Sequence, residues 1–138
     1  MKLILDNSVL AKYNEYYFEQ HPKAYKEPIP KPYHPSINTW FIMRRPQMNA
    51  LKQKWKEFIV WWVTDLGVKQ FNKVQMTFVI YFPTKVRHDV DNQIPKFILD
   101  GFVDAGIIPD DDGEHLTALT LKVDYDKNNP RTEIIIEE

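Results

Sequence analysis

The apolar residues of this chain change their repeat several times between Pro46 and Ile136, and that change of period limits the fold more than any other feature. Met48, Leu51, Trp55, Phe58, Ile59, Trp62 and Leu66 recur every three or four residues, the spacing of one buried stripe on an α-helix. Pro46 suits the first turn of that helix and Gly67 its C-terminal cap. The opposite face carries Asn49, Lys52, Gln53 and Lys56, and Trp61 falls off the stripe. Val74, Met76, Phe78 and Ile80 then alternate with Gln75, Thr77, Val79 and Tyr81, the two-residue period of a strand that Pro83 ends. Helical spacing returns with Ile94, Phe97, Ile98, Gly101, Phe102 and Ala105. It predicts a helix from Asn92 to Ala105, with Asn92 as N-cap, Pro95 in the first turn and Gly106 as terminator. Leu116 to Tyr125 and Thr132 to Ile136 read as strands, joined by Asp126-Lys127-Asn128-Asn129-Pro130 in a hairpin connection. Counting the short N-terminal apolar run as a strand, the order β-α-β-α-β-β predicts an α+β fold: a small mixed β-sheet with two main helices packed on it.

Residues 1 to 37 hold five of the ten prolines together with Tyr13, Tyr16, Tyr17, Tyr25 and Tyr33, and past the first few residues they show neither period. They are expected to form an irregular proline- and tyrosine-rich arm, extended at Pro28-Ile29-Pro30-Lys31-Pro32. The rest, 38 to 138, is the expected domain proper. A chain of 138 residues with 43% hydrophobic content can supply one core. It has no cysteine, so disulfides and thiolate metal sites are excluded, and any metal must be held by oxygen or imidazole ligands. The run at Leu3-Ile4-Leu5 is too short for a signal peptide and no apolar stretch reaches membrane length, so the expectation is a cytoplasmic protein without a membrane partner.

A net charge of −1 argues against a nucleic-acid binder, since such domains are commonly basic. The average conceals a division. Residues 1 to 88 carry fourteen Lys and Arg against six Asp and Glu, a net of +8, and residues 89 to 138 carry four against thirteen, a net of −9. An enzyme that cleaves a polyanion needs both parts, a positive surface for phosphates and carboxylates for metals. Charge by itself is equally consistent with solvated faces.

Two acidic segments bracket the second helix. In Arg87-His88-Asp89-Val90-Asp91-Asn92, an extended chain would point Asp89 and Asp91 to one side about 6 to 7 Å apart. Two such carboxylates share a metal or repel, which favours Mg²⁺ or Mn²⁺; the competing role is capping of the helix. An EF-hand is excluded because Gln93 and Ile94 stand where that loop needs an acid and a glycine. The second segment, Pro109-Asp110-Asp111-Asp112-Gly113-Glu114, reads as a turn or as further ligands. His88 and His115 flank the two segments.

In order and spacing these residues resemble the core of the RusA-type Holliday junction resolvases. The matching elements are Asp89-Val90-Asp91-Asn92, then Leu99-Asp100-Gly101, then Ala105-Gly106, three residues and Asp110-Asp111. The likeness covers roughly residues 72 to 137, and Pro35-Ser36-Ile37-Asn38 resembles an upstream segment of the same family. The resemblance implies a RusA-like homodimer that cleaves four-way DNA junctions by paired nicks with Mg²⁺ or Mn²⁺, in recombination and repair. It also implies Asp89, Asp91 and Asp111 as catalytic and metal-binding acids, with Asp110 and Asp112 as substitutes for the third. Lys96 resembles the family's essential lysine, though it follows the second aspartate by five residues rather than four, with Pro95 inserted. An i, i+4 pair with Asp100 is the structural alternative for Lys96.

The expected phosphate-binding surface comprises Asn38, Arg44, Arg45, Lys52, Lys54, Lys56, Lys85 and Arg87. One difficulty is geometric, because a helix from Asn92 to Ala105 at ~1.5 Å per residue carries the chain about 20 Å from Asp91 before Asp111 arrives. Either residues 106 to 110 return or a partner subunit contributes. Two other classes stay open: a DNA-binding or phage assembly module without cleavage, and a metal-dependent enzyme acting on another phosphoester.

Overall fold

The computed structural model describes all residues, 1 to 138. In chain order it contains β1 (Lys2–Asp6), α1 (Asn7–Gln20), α2 (Ile37–Trp40), α3 (Arg45–Leu66), β2 (Val74–Phe82), a 3-10 turn (Val90–Gln93), α4 (Lys96–Asp104), β3 (Leu116–Tyr125) and β4 (Arg131–Glu137). The fold is a small mixed α+β domain whose four-stranded sheet has the order β1-β4-β2-β3. β4 runs antiparallel to both β1 and β2, and β2 runs parallel to β3. Along β2 the alternate residues Val74, Met76, Phe78, Ile80 and Phe82 are all buried. They meet Trp55, Phe58, Ile59 and Trp62 of α3 and Phe97, Ile98 and Phe102 of α4 in one core. No helix is long and apolar enough to cross a membrane.

The hairpin expected between the last two strands is not formed. β2 lies between β3 and β4 and pairs with both, so residues 126 to 130 cross over its end. Asp126 holds that crossing: its N–H donates to the Phe82 carbonyl at 2.9 Å, and its carboxylate accepts from Asn128, Asn129 and Arg131. Turn chemistry marks a change of direction but not which strand lies alongside.

The irregular arm is also corrected. The N-terminal strand counted in the sequence is present, residues 2 to 6 pairing at the edge with β4, but residues 7 to 20 form a helix. Asp6 caps α1, its Oδ1 accepting from the N–H groups of Ser8 at 3.0 Å and Val9 at 3.1 Å. The apolar stripe of α1 is built from Val9, Leu10, Tyr13 and Tyr17, with Tyr13 only 2% exposed. Tyrosines counted as polar hide that period. Trp61 is explained by the same helix, because the Tyr13 ring lies 5.0 Å from it and 4.9 Å from Phe58. Residues 21 to 36 are without helix or strand, yet Ile29 and His34 are buried, and the Thr132 hydroxyl donates to the Pro32 carbonyl at 2.8 Å.

Two helix boundaries bear on the site. α3 matches expectation at both ends, with Pro46 in its first turn and Gly67 left-handed at φ 67°; Leu66, however, is 52% exposed and Val63 takes its place in the core. α4 starts at Lys96 rather than Asn92. The segment before it is the separate 3-10 turn, and Pro95 intervenes with ψ 57°, so Asn92 caps nothing in α4. Gly106, at φ 75°, ends it: Ile107 N–H bonds to Phe102 O at 2.9 Å and Gly106 N–H to Val103 O at 3.0 Å. α4 comes so close to α3 that a Cβ on Gly101 would lie 2.6 Å from Ile59 Cβ.

Candidate metal and phosphate site

The chain leaves β2 at Phe82 and Pro83 and reaches the first acidic segment through an exposed loop. His88 lays its ring flat on Phe82, with centroids 3.6 Å apart and planes within 8°, which fixes where Asp89 begins. Asp89 is still extended, at φ −77° and ψ 132°, but Val90 to Gln93 wind into the 3-10 turn. In such a turn successive side chains step by roughly 120°, not the 180° of a strand. The alternation expected to aim Asp89 and Asp91 together therefore stops at Asp89. The Asp89 carboxylate meets Arg87 at 3.2 Å, while exposed Asp91 has no ion-pair partner in the chain. Neither carboxylate caps a helix.

Lys96 opens α4, and its ammonium stands 3.1 Å from Asp100 Oδ1 and 3.1 Å from Asp111 Oδ2. The i, i+4 pair with Asp100 is thus formed, and the same ammonium also reaches Asp111. Asp111 reaches Lys96 because Gly106 turns the chain back and Ile107 and Ile108 bury themselves against the core on the way. The chain thus returns within one subunit as far as Lys96, but Asp111 is not gathered with Asp89 and Asp91 into one ligand set. Partial burial would raise the Asp111 carboxyl, but the Lys96 hydrogen bond and charge outweigh it and hold it below the usual range. Partial burial would likewise lower Lys96, and the bonds from Asp111 and Asp100 outweigh that and raise it. Lys96 is thereby kept a cation at neutral pH.

From sequence Asp100 enters only as part of the Leu99-Asp100-Gly101 element and as a helix pair for Lys96. It is only 16% exposed in its side chain and lies between two lysines, since Lys52 Nζ stands 3.6 Å from its Oδ2. That distance is an ion pair and not a hydrogen bond, which leaves the buried Oδ2 without a hydrogen-bond partner. Lys56 pairs with Asp104 at 2.9 Å. Lys52 and Lys56, expected on a solvated or phosphate-tracking face, are instead drawn to the acids of α4. Arg44 and Arg45 are exposed at the start of α3, and Asn38 is exposed on α2. Lys85 sits 5.2 Å over the Tyr125 ring, and Arg87 is 89% exposed beyond its contact with Asp89.

No protein-family model and no curated protein matches this chain. Asp89, Asp91 and Asp111 do not converge as a set of three ligands; the one group of three whose ligand atoms lie within 4.8 Å of one another is Asp112, Glu114 and His115. Asp112 Oδ1 already accepts from the N–H groups of Glu114 at 3.2 Å and His115 at 3.1 Å, and His115 Nδ1 faces the Asn72 carbonyl at 2.9 Å. Those bonds account for the cluster as a turn before β3. Asp110, the substitute ligand, accepts the N–H of Asp111 at 2.8 Å and thereby orients it.

Sequence spacing could not reveal His34. Its Nε2 accepts the N–H of Phe97 at 3.0 Å and its Nδ1–H donates to the Pro35 carbonyl at 2.6 Å. The ring serves as a cap for the first turn of α4, supplied from 63 residues away. Burial pushes its pKa down to about 4, against smaller opposing effects of the Pro35 bond and Asp100.

Proposed function

We propose that this protein is a Mg²⁺-dependent endodeoxyribonuclease, similar to the RusA-type resolvases, that nicks four-way DNA junctions as a homodimer. The observation that carries the reading is the contact of Lys96 with Asp111, fifteen residues apart. It brings the second acidic segment back to the first turn of α4, five residues after Asp91. Asp89, Asp91 and Asp111 offer the carboxylate oxygens a hard divalent ion prefers and the chain has no thiolate, although the three are not gathered as one ligand set in the fold. Exposure leaves the first two carboxylates accessible. When bound there, Mg²⁺ or Mn²⁺ supplies Lewis acidity at the phosphate and a water of lowered pKa.

The protein's own groups do the rest. Lys96, held from both sides by Asp100 and Asp111 and kept protonated, offers a fixed positive charge to the phosphoryl oxygens as negative charge develops on them. It acts as an electrostatic donor and not as a base. Arg44, Arg45, Lys85 and Arg87, exposed toward solvent, supply charge for the DNA backbone. A homodimer would pair two such sites across a twofold axis, which suits symmetric nicks.

The test is to incubate the protein with Mg²⁺ and a synthetic four-way junction, a linear duplex or small phosphoesters, beside Asp91→Asn. Symmetric nicks confined to the junction, reduced about 100-fold or more in the variant, are expected. Cleavage of the phosphoesters alone would replace the substrate. A second reading, a DNA-binding or phage assembly module that does not cleave, is favoured by the ion pairs already engaging Asp89 and Asp111. Junction binding without nicks at any Mg²⁺ or Mn²⁺ concentration selects it.

A further inference from the structure

Beside the first acidic segment lies a cavity of about 580 Å³, between the irregular N-terminal segment, α3 and the loop after β2. We propose that it receives one nucleobase turned out of a nucleic-acid strand. The proposal rests on the reading of the protein as one that acts on DNA, and it adds a recognition site to it. The volume falls in the range of small-molecule pockets, which combine apolar rings with a few placed polar groups.

Tyr33, Trp55 and the His88 ring that lies flat over Phe82 line the cavity, with the Tyr33 and Phe82 rings edge to face at 4.9 Å. Stacking on such rings stabilises an unstacked base whatever its identity. Gln93 adds the polar element. It lines the cavity although only 5% exposed, and its side-chain N–H donates to the Asp89 carbonyl at 3.3 Å. Its carbonyl oxygen makes no hydrogen bond within the chain and is not among the buried orphan atoms, so it is an acceptor accessible to the amino or ring N–H group of a base. His34, by contrast, has both ring nitrogens engaged and offers only its face.

Charge complementarity points to a nucleotide rather than to an uncharged ring. Lys31 lines the cavity and Arg87 extends from the same loop as His88, so both are available to the phosphates that flank an extruded base. Gln93 couples the two functions, because the side chain that would read the base also holds the backbone of Asp89. A base in the cavity would fix the Gln93 amide and with it the start of the acidic segment.

The test uses the full chain without metal. Each of the four deoxynucleoside 5′-monophosphates, and deoxyribose 5-phosphate as the baseless control, is titrated against the fluorescence of the four tryptophans, of which Trp55 lines the cavity. The expected result is saturable quenching by at least one nucleotide and none by the control, weakened at least about tenfold in Gln93→Leu. Thr39→Phe, which fills the cavity from α2, gives the same loss and covers the case in which Gln93→Leu does not fold. Quenching as strong with the sugar phosphate, no quenching, or unchanged affinity in a folded variant overturns the proposal. Junction cleavage with no base-dependent quenching overturns the cavity alone. Base-dependent quenching with no cleavage supports the cavity and removes the nuclease reading.

Discussion

His34 shows how much one side chain can decide at the residue scale. It joins a segment with no regular structure to the first turn of the helix that carries Lys96. Because its folded pKa of about 4 lies below the ordinary value of 6.5, the folded protein binds fewer protons than the unfolded chain between those values. Its contribution is complete above pH 6.5 and is lost as pH falls toward 4, by at most about 3 kcal/mol. Denaturant midpoints measured across that range should fall steeply for the wild type and less so for His34→Ala, which should itself cost about 2 kcal/mol at pH 7. Identical slopes in the two proteins would remove His34 as the cause. Lys96 gives a second test at this scale. Lys96→Ala should reduce junction cleavage about 100-fold, while Lys96→Arg, which keeps charge without the same reach, should recover part of it. Rates that match the wild type in both variants would leave Lys96 as a structural ion pair.

At the scale of elements, the contact between α3 and α4 sets the position of the candidate site. Gly101 permits it, since a methyl group there would sit 2.6 Å from Ile59 Cβ, on a branched side chain with no room to turn. Gly101→Ala should gain about 1 kcal/mol of helix propensity and lose more to the clash, for a net destabilisation of about 1 to 2 kcal/mol. A thermal melt that rises instead would mean that the helices separate without cost. The N-terminal elements matter as much. Removing residues 1 to 20 strips β1 from β4 and uncovers Phe58 and Trp61. The truncated chain should lose its cooperative transition and aggregate; a melting temperature within a few degrees of the full chain would restore the picture of a dispensable arm.

For the whole molecule the division of charge is partly resolved within the fold. Lys52 and Lys56 from the basic half answer Asp100 and Asp104 from the acidic half, so the formal +8 overstates what faces DNA. Arg44 and Arg45 face solvent, so Ala at both should flatten the dependence of junction affinity on salt by about one to two contacts. Ala at Lys52 and Lys56 should leave that slope unchanged and lower stability; the reverse pattern would place the DNA on the Lys52 and Lys56 face of α3 instead of at its start. The periods of the sequence determined by themselves that α3, β2 and α4 exist and most of the residues they bury, Leu66 and Ile94 being the exposed exceptions, because repeats of 3.6 and 2 are local consequences of backbone geometry. The acids of the candidate site were legible as well, since their types and spacing lie in short segments. Tertiary structure alone decided that β2 separates β3 from β4, that tyrosines make α1 amphipathic against Trp61, that Asp111 returns to Lys96, and that His34 caps α4. Each of these joins residues far apart in the chain, and such a contact is chosen by what the finished core leaves to be covered or hydrogen-bonded, which no local pattern encodes.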